Sequence, residues 1–181
     1  GQIIVKPRWF APSVTGIWVQ AMHDGNKLAV RVSWDDRSKS PDPAWDEWMA
    51  RLVKSVTDAD GALAPAQGPD RIWVQFPKRV TDEAERPYFL GGNTRRPVYL
   101  WRWASTPDAS EEGTGTGLGR FAALSGASEM THAASFTDGR WHVQFTRALV
   151  PADTTASPTF GVGRAIPIAF FAGDGSNGET G

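Results

Sequence analysis

Polar and apolar residues alternate with a period of two along most of the chain. The runs at 17–22 (IWVQAM) and 27–34 (KLAVRVSW) flank His-Asp-Gly-Asn, whose Asp-Gly pair suits the positive φ angles of a tight turn. Together they predict an antiparallel hairpin. In its second arm Leu28, Val30, Val32 and Trp34 share one face, with Lys27, Ala29, Arg31 and Ser33 on the other. The same alternation predicts strands over 71–76, 97–103, 128–136, 141–149 and 166–171, with a second Asp-Gly turn at 137–140. Short strands with polar alternate positions imply an all-β fold, an antiparallel sandwich with one solvated face per sheet. The strand at 97–103 differs, because Tyr99, Trp101 and Trp103 on one face oppose Val98 and Leu100 on the other. Either it is central in a fully buried layer, or its second face covers a ligand.

One segment follows a different period. Trp45, Trp48, Met49, Leu52, Val53 and Val56 recur at the spacing of one helical face, after Asp42 as N-cap and Pro43 in the first turn. A helix over 43–56 packed against the sandwich is expected. The stretches 58–70 and 106–119 are rich in Gly, Pro and Asp and read as mobile surface loops.

Composition narrows the chemistry. A chain of 181 residues fits one domain over 1–181 with a core of its own. It starts at Gly1, which suggests a domain excised from a longer chain. The formal charge of −1 and scattered Lys and Arg give no footprint for nucleic acid or anionic lipid, and no run is long and apolar enough for membrane insertion. Zero cysteines remove disulfides, thiolate zinc, iron–sulfur clusters, a Cys nucleophile and c-type haem attachment. No GxSxG, HExxH or phosphate-cradling glycine loop is present, so no catalytic residue is assigned.

The remaining candidates are ligating groups. Asp174, Asn177 and Glu179 in GDGSNGE offer hard oxygens to calcium, or form a plain polar turn. Asp35/Asp36 and Glu111/Glu112 are adjacent pairs that read as solvated. Met130 and His132 lie two apart on one strand face, so at most one of them can be an axial ligand of a given haem, and both also read as core side chains. His23 and His142 are expected near solvent, and Met22 and Met49 as core fillers. Among nine tryptophans, Trp34 and Trp141 suit the sandwich core.

The order of WDDR (34–37), QFP (75–77), YFLGG (88–92) with RPVYLWRW (96–103), DGRWHVQFTRAL (138–149) and IPIAFFAGDGSNGE (166–179) resembles the haem-binding domain of the ethylbenzene dehydrogenase and dimethylsulfide dehydrogenase gamma-subunit family. That family includes relatives fused to c-type cytochromes in nitrate respiration. The resemblance implies an immunoglobulin-like β-sandwich with one short helix, holding a non-covalent haem b. It implies a periplasmic electron-transfer subunit or domain, partnered by a molybdoenzyme or iron–sulfur subunit and by a soluble or fused cytochrome c. It gives the domain no catalytic site of its own. The haem slot would be walled by Phe89, Leu90, Tyr99, Trp101 and Trp103. The family's axial methionine and lysine fall on Leu90 and Ala104, which cannot donate to iron. Three accounts stay open: substitute ligands, for which Lys78 with Met130 or His132 is the candidate set; a five-coordinate or weakly held haem; and a haem-free module that binds carbohydrate or protein on the same scaffold.

Overall fold

The computed structural model describes residues 12–44, 47–48, 51–52, 67–79, 91–126 and 128–179. Among the described residues nine strands form two antiparallel sheets: β1 (Trp18–His23), β2 (Lys27–Asp35), β3 (Arg71–Pro77), β4 (Val98–Ser105), β5 (Asp108–Gly115), β6 (Phe121–Ala123), β7 (Thr131–Thr137), β8 (Arg140–Ala148) and β9 (Ala169–Gly173). One sheet runs β1-β2-β8-β7 and the other β6-β5-β4-β3-β9. All seven predicted strands are present, and the fold is the expected all-β sandwich.

Inward-facing residues of β2 and β8 (Val30, Val32, Trp34, Trp141, Val143, Phe145) meet those of β3 and β4 (Ile72, Val74, Phe76, Tyr99, Trp101, Trp103) in one core. Aromatic rings fill its centre. Trp103 lies 4.9 Å from Trp141 and 6.3 Å from Trp34, and Trp101 lies 4.7 Å from Phe76 and 5.9 Å from Phe145. Each buried ring adds a few kcal/mol over exposure, so this aromatic column dominates the stability of the domain.

The expectation of a mobile loop over 106–119 is corrected. Residues 108–115 form β5, paired with β4 from Val98↔Gly115 to Ser105↔Asp108, and β6 pairs with β5 in turn. Its glycines are spatial requirements. A Cβ on Gly113 would lie 2.3 Å from the Phe121 ring and 2.5 Å from the Ala122 carbonyl oxygen, and one on Gly115 2.7 Å from the Gly91 carbonyl oxygen. The Gly91-Gly92 turn, with φ of 83° and 75°, therefore folds back over β5. Gly91 N–H donates to Gln75 Oε1 at 3.0 Å, and Gly117 N–H donates to the Gly91 carbonyl at 3.0 Å.

Of the helix expected over 43–56, Pro43, Ala44, Glu47, Trp48, Arg51 and Leu52 have helical backbone, and the remainder lies outside the described residues, Met49 included. Asp42 caps it by accepting from Ala44 N–H at 2.9 Å. Trp48 and Leu52, expected on its buried stripe, are exposed. The edge strand β1 is exposed on both faces, so Met22 is not a core filler but stands 73% exposed. No helix among the described residues is long and apolar enough to cross a membrane.

Candidate functional site

Tyr99 and Trp101 do not wall a ligand slot, and Trp103 borders only the groove on the outer face described below. All three face the opposite sheet and are at most 2% exposed, enclosed by the aromatic column. Val98 and Leu100, on the other face of β4, are buried too, so β4 is a central strand buried on both faces except at the half-buried Arg102 and Ala104. Phe89 and Leu90 lie outside the described residues.

Nor are the candidate iron donors brought together. Lys78 Nζ donates to Thr114 Oγ1 at 3.3 Å, and the residue lines an open basic depression of about 410 Å³ with Arg79 and Arg164. Both ring nitrogens of His132 are engaged, Nδ1 with Ser110 Oγ at 2.8 Å and Nε2 with Asp108 Oδ1 at 3.0 Å. Thr114 and Ser110 stand four residues apart on β5, roughly 13 Å at strand spacing, far too long for two ligands of one iron. Met130 is buried in the hydrophobic core, with its N–H donating to Glu112 Oε1 at 2.8 Å. Lys78 and His132 are therefore not placed as a ligand pair, and Met130 is packed in the core.

Instead Tyr99 anchors a buried polar relay. Arg147 follows Trp141, Val143 and Phe145 on the inward face of β8 and is 1% exposed. Its guanidinium donates from Nη1 to the Tyr99 hydroxyl (2.9 Å), from Nη2 to the Pro158 carbonyl (2.7 Å) and from Nε to the Ala148 carbonyl (3.0 Å). It lies 4.4 Å from the Phe160 ring centre. The Tyr99 hydroxyl donates in turn to Glu112, which also accepts from Ser128 Oγ. The phenol separates a buried cation from a buried anion while satisfying both. Burial, first of all, pushes its pKa up to about 12.

The outer face of the five-stranded sheet carries a groove of about 310 Å³ over β3, β4 and β5. Arg71 and Trp73 of β3, Arg102 of β4 and Ser110 and Glu111 of β5 line it, with Thr106 and Pro107 closing one end. Arg71, Trp73, Arg102 and Glu111 alternate with the inward residues, so the same strands present core on one side and groove on the other, while Ser110, opposite Trp103, has inward parity and reaches only the groove's edge. The Arg102 guanidinium lies 4.5 Å from the centre of Trp73 and 4.2 Å from that of Phe121, and pairs with Glu111 at 3.5 Å. Burial lowers its pKa. The Nε groups of Arg71 and Arg102 are buried and make no hydrogen bond.

A second polar cluster lies at the end of the sandwich where β2 and β9 finish and β3 begins. Asp36, Asp70 and Asp174 are all buried, and one carboxylate oxygen of each lies within 4.8 Å of the other two. Asp70 accepts from Ser40 N–H (2.7 Å), Trp141 Nε1 (2.9 Å) and Gly175 N–H (2.9 Å). Burial, with Asp70 and Asp174 close by, pushes the Asp36 carboxyl up to about 7, and burial raises that of Asp70. The expectation that Asp36 is solvated is corrected: the chain turns inward after Asp35, which stays outside on Arg140. The oxygens of GDGSNGE do not converge on one point. Glu179 accepts from Ser13 N–H, Asn177 Nδ2 and Asp174 N–H, and Asp174 alone joins the cluster.

A scan of the chain against protein-family models matches none, and a search of curated proteins gives no match.

Proposed function

We propose that the domain is a haem-free binding module that recognises carbohydrate in the groove over β3, β4 and β5. The observation that carries this reading is the pairing of an indole with fixed planar ion groups. Trp73, packed between the Arg102 guanidinium over its ring and Phe171, leaves its indole edge at the groove next to the Arg102–Glu111 pair at 3.5 Å, with Arg71 and Ser110 at the rim. A sugar ring presents C–H patches to an aromatic ring and pairs of vicinal hydroxyls that suit guanidinium and carboxylate, and about 310 Å³ accommodates one or two such rings. Two facts about the haem-slot residues support the haem-free side of the reading: Tyr99, Trp101 and Trp103 are used in the core, and Lys78, Met130 and His132 are held apart on other partners. In this reading the gamma-subunit resemblance describes the scaffold, and the module has no chemistry of its own.

Two measurements test it together. Affinity electrophoresis through gels containing individual soluble polysaccharides is expected to retard the wild type on at least one. Trp73→Ala and Arg102→Ala are expected to weaken that retardation at least tenfold, a loss of about 1.4 kcal/mol or more. Titration with haemin, followed by reduction, is expected to give no saturable Soret band and no reducible α-band. A stoichiometric haem spectrum would overturn the proposal and restore an electron-transfer role.

A further inference from the structure

We infer that Asp36, Asp70 and Asp174 form a binding site for one calcium-class divalent cation, which ties together three segments distant in the sequence. The site is built by the fold. Asp36 ends the run out of β2, Asp70 leads into β3, and Asp174 follows β9, so their carboxylates meet only once both sheets have formed. One oxygen from each carboxylate lies within 4.8 Å of the other two, close enough for all three to reach one ion with bonds of about 2.3–2.6 Å, as calcium makes to oxygen. Magnesium demands near-ideal octahedral geometry and sheds its water reluctantly, so a site made only of protein carboxylates suits it less.

A second observation points to a ligand. Asp36 is only 7% exposed, and its Oδ2 makes no hydrogen bond, while its Oδ1 has one long one, from Ser38 N–H at 3.2 Å. With only the Trp34 indole N–H near it as a further donor, a buried carboxylate this close to two others costs several kcal/mol unless a positive charge meets it. No Lys, Arg or His among the described residues forms an ion pair with any of the three. The other two carboxylates are held by several donors each. Asp70 is held by Ser40, Trp141 and Gly175, and Asp174 Oδ1 accepts from Ser176 N–H at 2.7 Å and Ser176 Oγ at 2.6 Å. Such outer partners fix ligand geometry before an ion arrives. Gly175 is part of the frame, since a Cβ there would lie 1.8 Å from the Gly68 carbonyl oxygen.

The test uses the whole chain, freed of metal with EGTA. Calorimetric titration with CaCl2 is expected to show one ion per chain, and the melting temperature to rise by several degrees in excess calcium and much less in magnesium. Asp36→Asn and Asp174→Asn are expected to abolish the calcium response, and Asp35→Asn, the exposed neighbour, to retain it. Terbium gives a readout that does not depend on the variants folding. Trp141 donates directly to Asp70, so indole excitation of the wild type is expected to sensitise terbium emission that calcium quenches by competition. Absence of binding heat and of sensitised emission would overturn the inference and leave a cluster neutralised by shared protons. An unchanged calcium response in folded Asp36→Asn would overturn it equally.

Discussion

Replacing Tyr99 by Phe removes one oxygen atom and tests whether the buried relay is a stability element. The ring stays, so packing against Phe76 and Trp101 is retained. What is lost is the acceptor of the 2.9 Å bond from Arg147 Nη1 and the donor to Glu112. Arg147 and Glu112 are 1% and 4% exposed, so water cannot replace the hydroxyl without opening the core. A hydrogen bond to a charged group contributes about 1.5–3 kcal/mol, and breaking a buried charge network costs about 3–5 kcal/mol. Arg147 keeps its carbonyl acceptors and Glu112 its bonds from Ser128 and Met130, which favours the lower half, about 3–4 kcal/mol. With a urea m-value of about 2 kcal/mol/M the midpoint should fall by about 1.5–2 M at unchanged m. Adding Glu112→Gln should recover part of the loss, because the amide is neutral and cheaper to leave with one partner fewer. A loss below about 1 kcal/mol, or a double variant less stable than the additive sum, would refute the account of a phenol holding two buried charges apart.

Other consequences are open to measurement. Gly113→Ala should destabilise by about 1–3 kcal/mol, because the new methyl meets the Ala122 carbonyl as well as the Phe121 ring, and limited proteolysis should then cut near β6. Asp24 accepts from the Asn26 and Lys27 N–H groups at 2.8 and 2.7 Å, which hold its pKa below the usual aspartate value. Its contribution to the first hairpin is therefore present above the unfolded pKa and lost as pH falls through the lower folded one, and Asp24→Ala should flatten that acid limb of a stability profile. The Tyr99 phenol is raised, so the folded state holds a proton that the unfolded state releases. Stability should decline as pH rises from about 10 to about 12, more steeply than in Tyr99→Phe.

Strand alternation makes most of the fold legible in the chain itself, because inward and outward positions differ sharply in hydropathy on β2, β3, β4 and β8. β5 escapes for a physical reason. Its sequence, DASEEGTG, carries little apolar surface; it is held by ladder pairing and by glycines that let Phe121 and Gly91 approach. The relay has a visible signal: Arg147 continues the inward parity of Trp141, Val143 and Phe145, and a charge in that register needs a buried partner. The carboxylate cluster has none, since nothing local to Asp36, Asp70 or Asp174 distinguishes them from loop aspartates. The resemblance places three aromatics around a ligand that the register places around each other, because strand parity alone does not say which face of a doubly apolar strand meets the other sheet.

Strand β4 sends Trp101 and Trp103 inward and Arg102 outward from consecutive positions, and it is hydrogen-bonded to a neighbouring strand on either side. The floor of the groove is thus the back of a central strand held by ladders on both sides. A ligand seated there finds a surface that is already in shape, so association should carry little ordering entropy from the protein, and affinity should be governed by how readily the ligand sheds its own water. The same adjacency makes the core an internal reporter. Trp103 lines the groove from beneath, so occupancy next to Arg102 alters the electric field at a buried indole, and binding can be followed by the position of the intrinsic emission without any label.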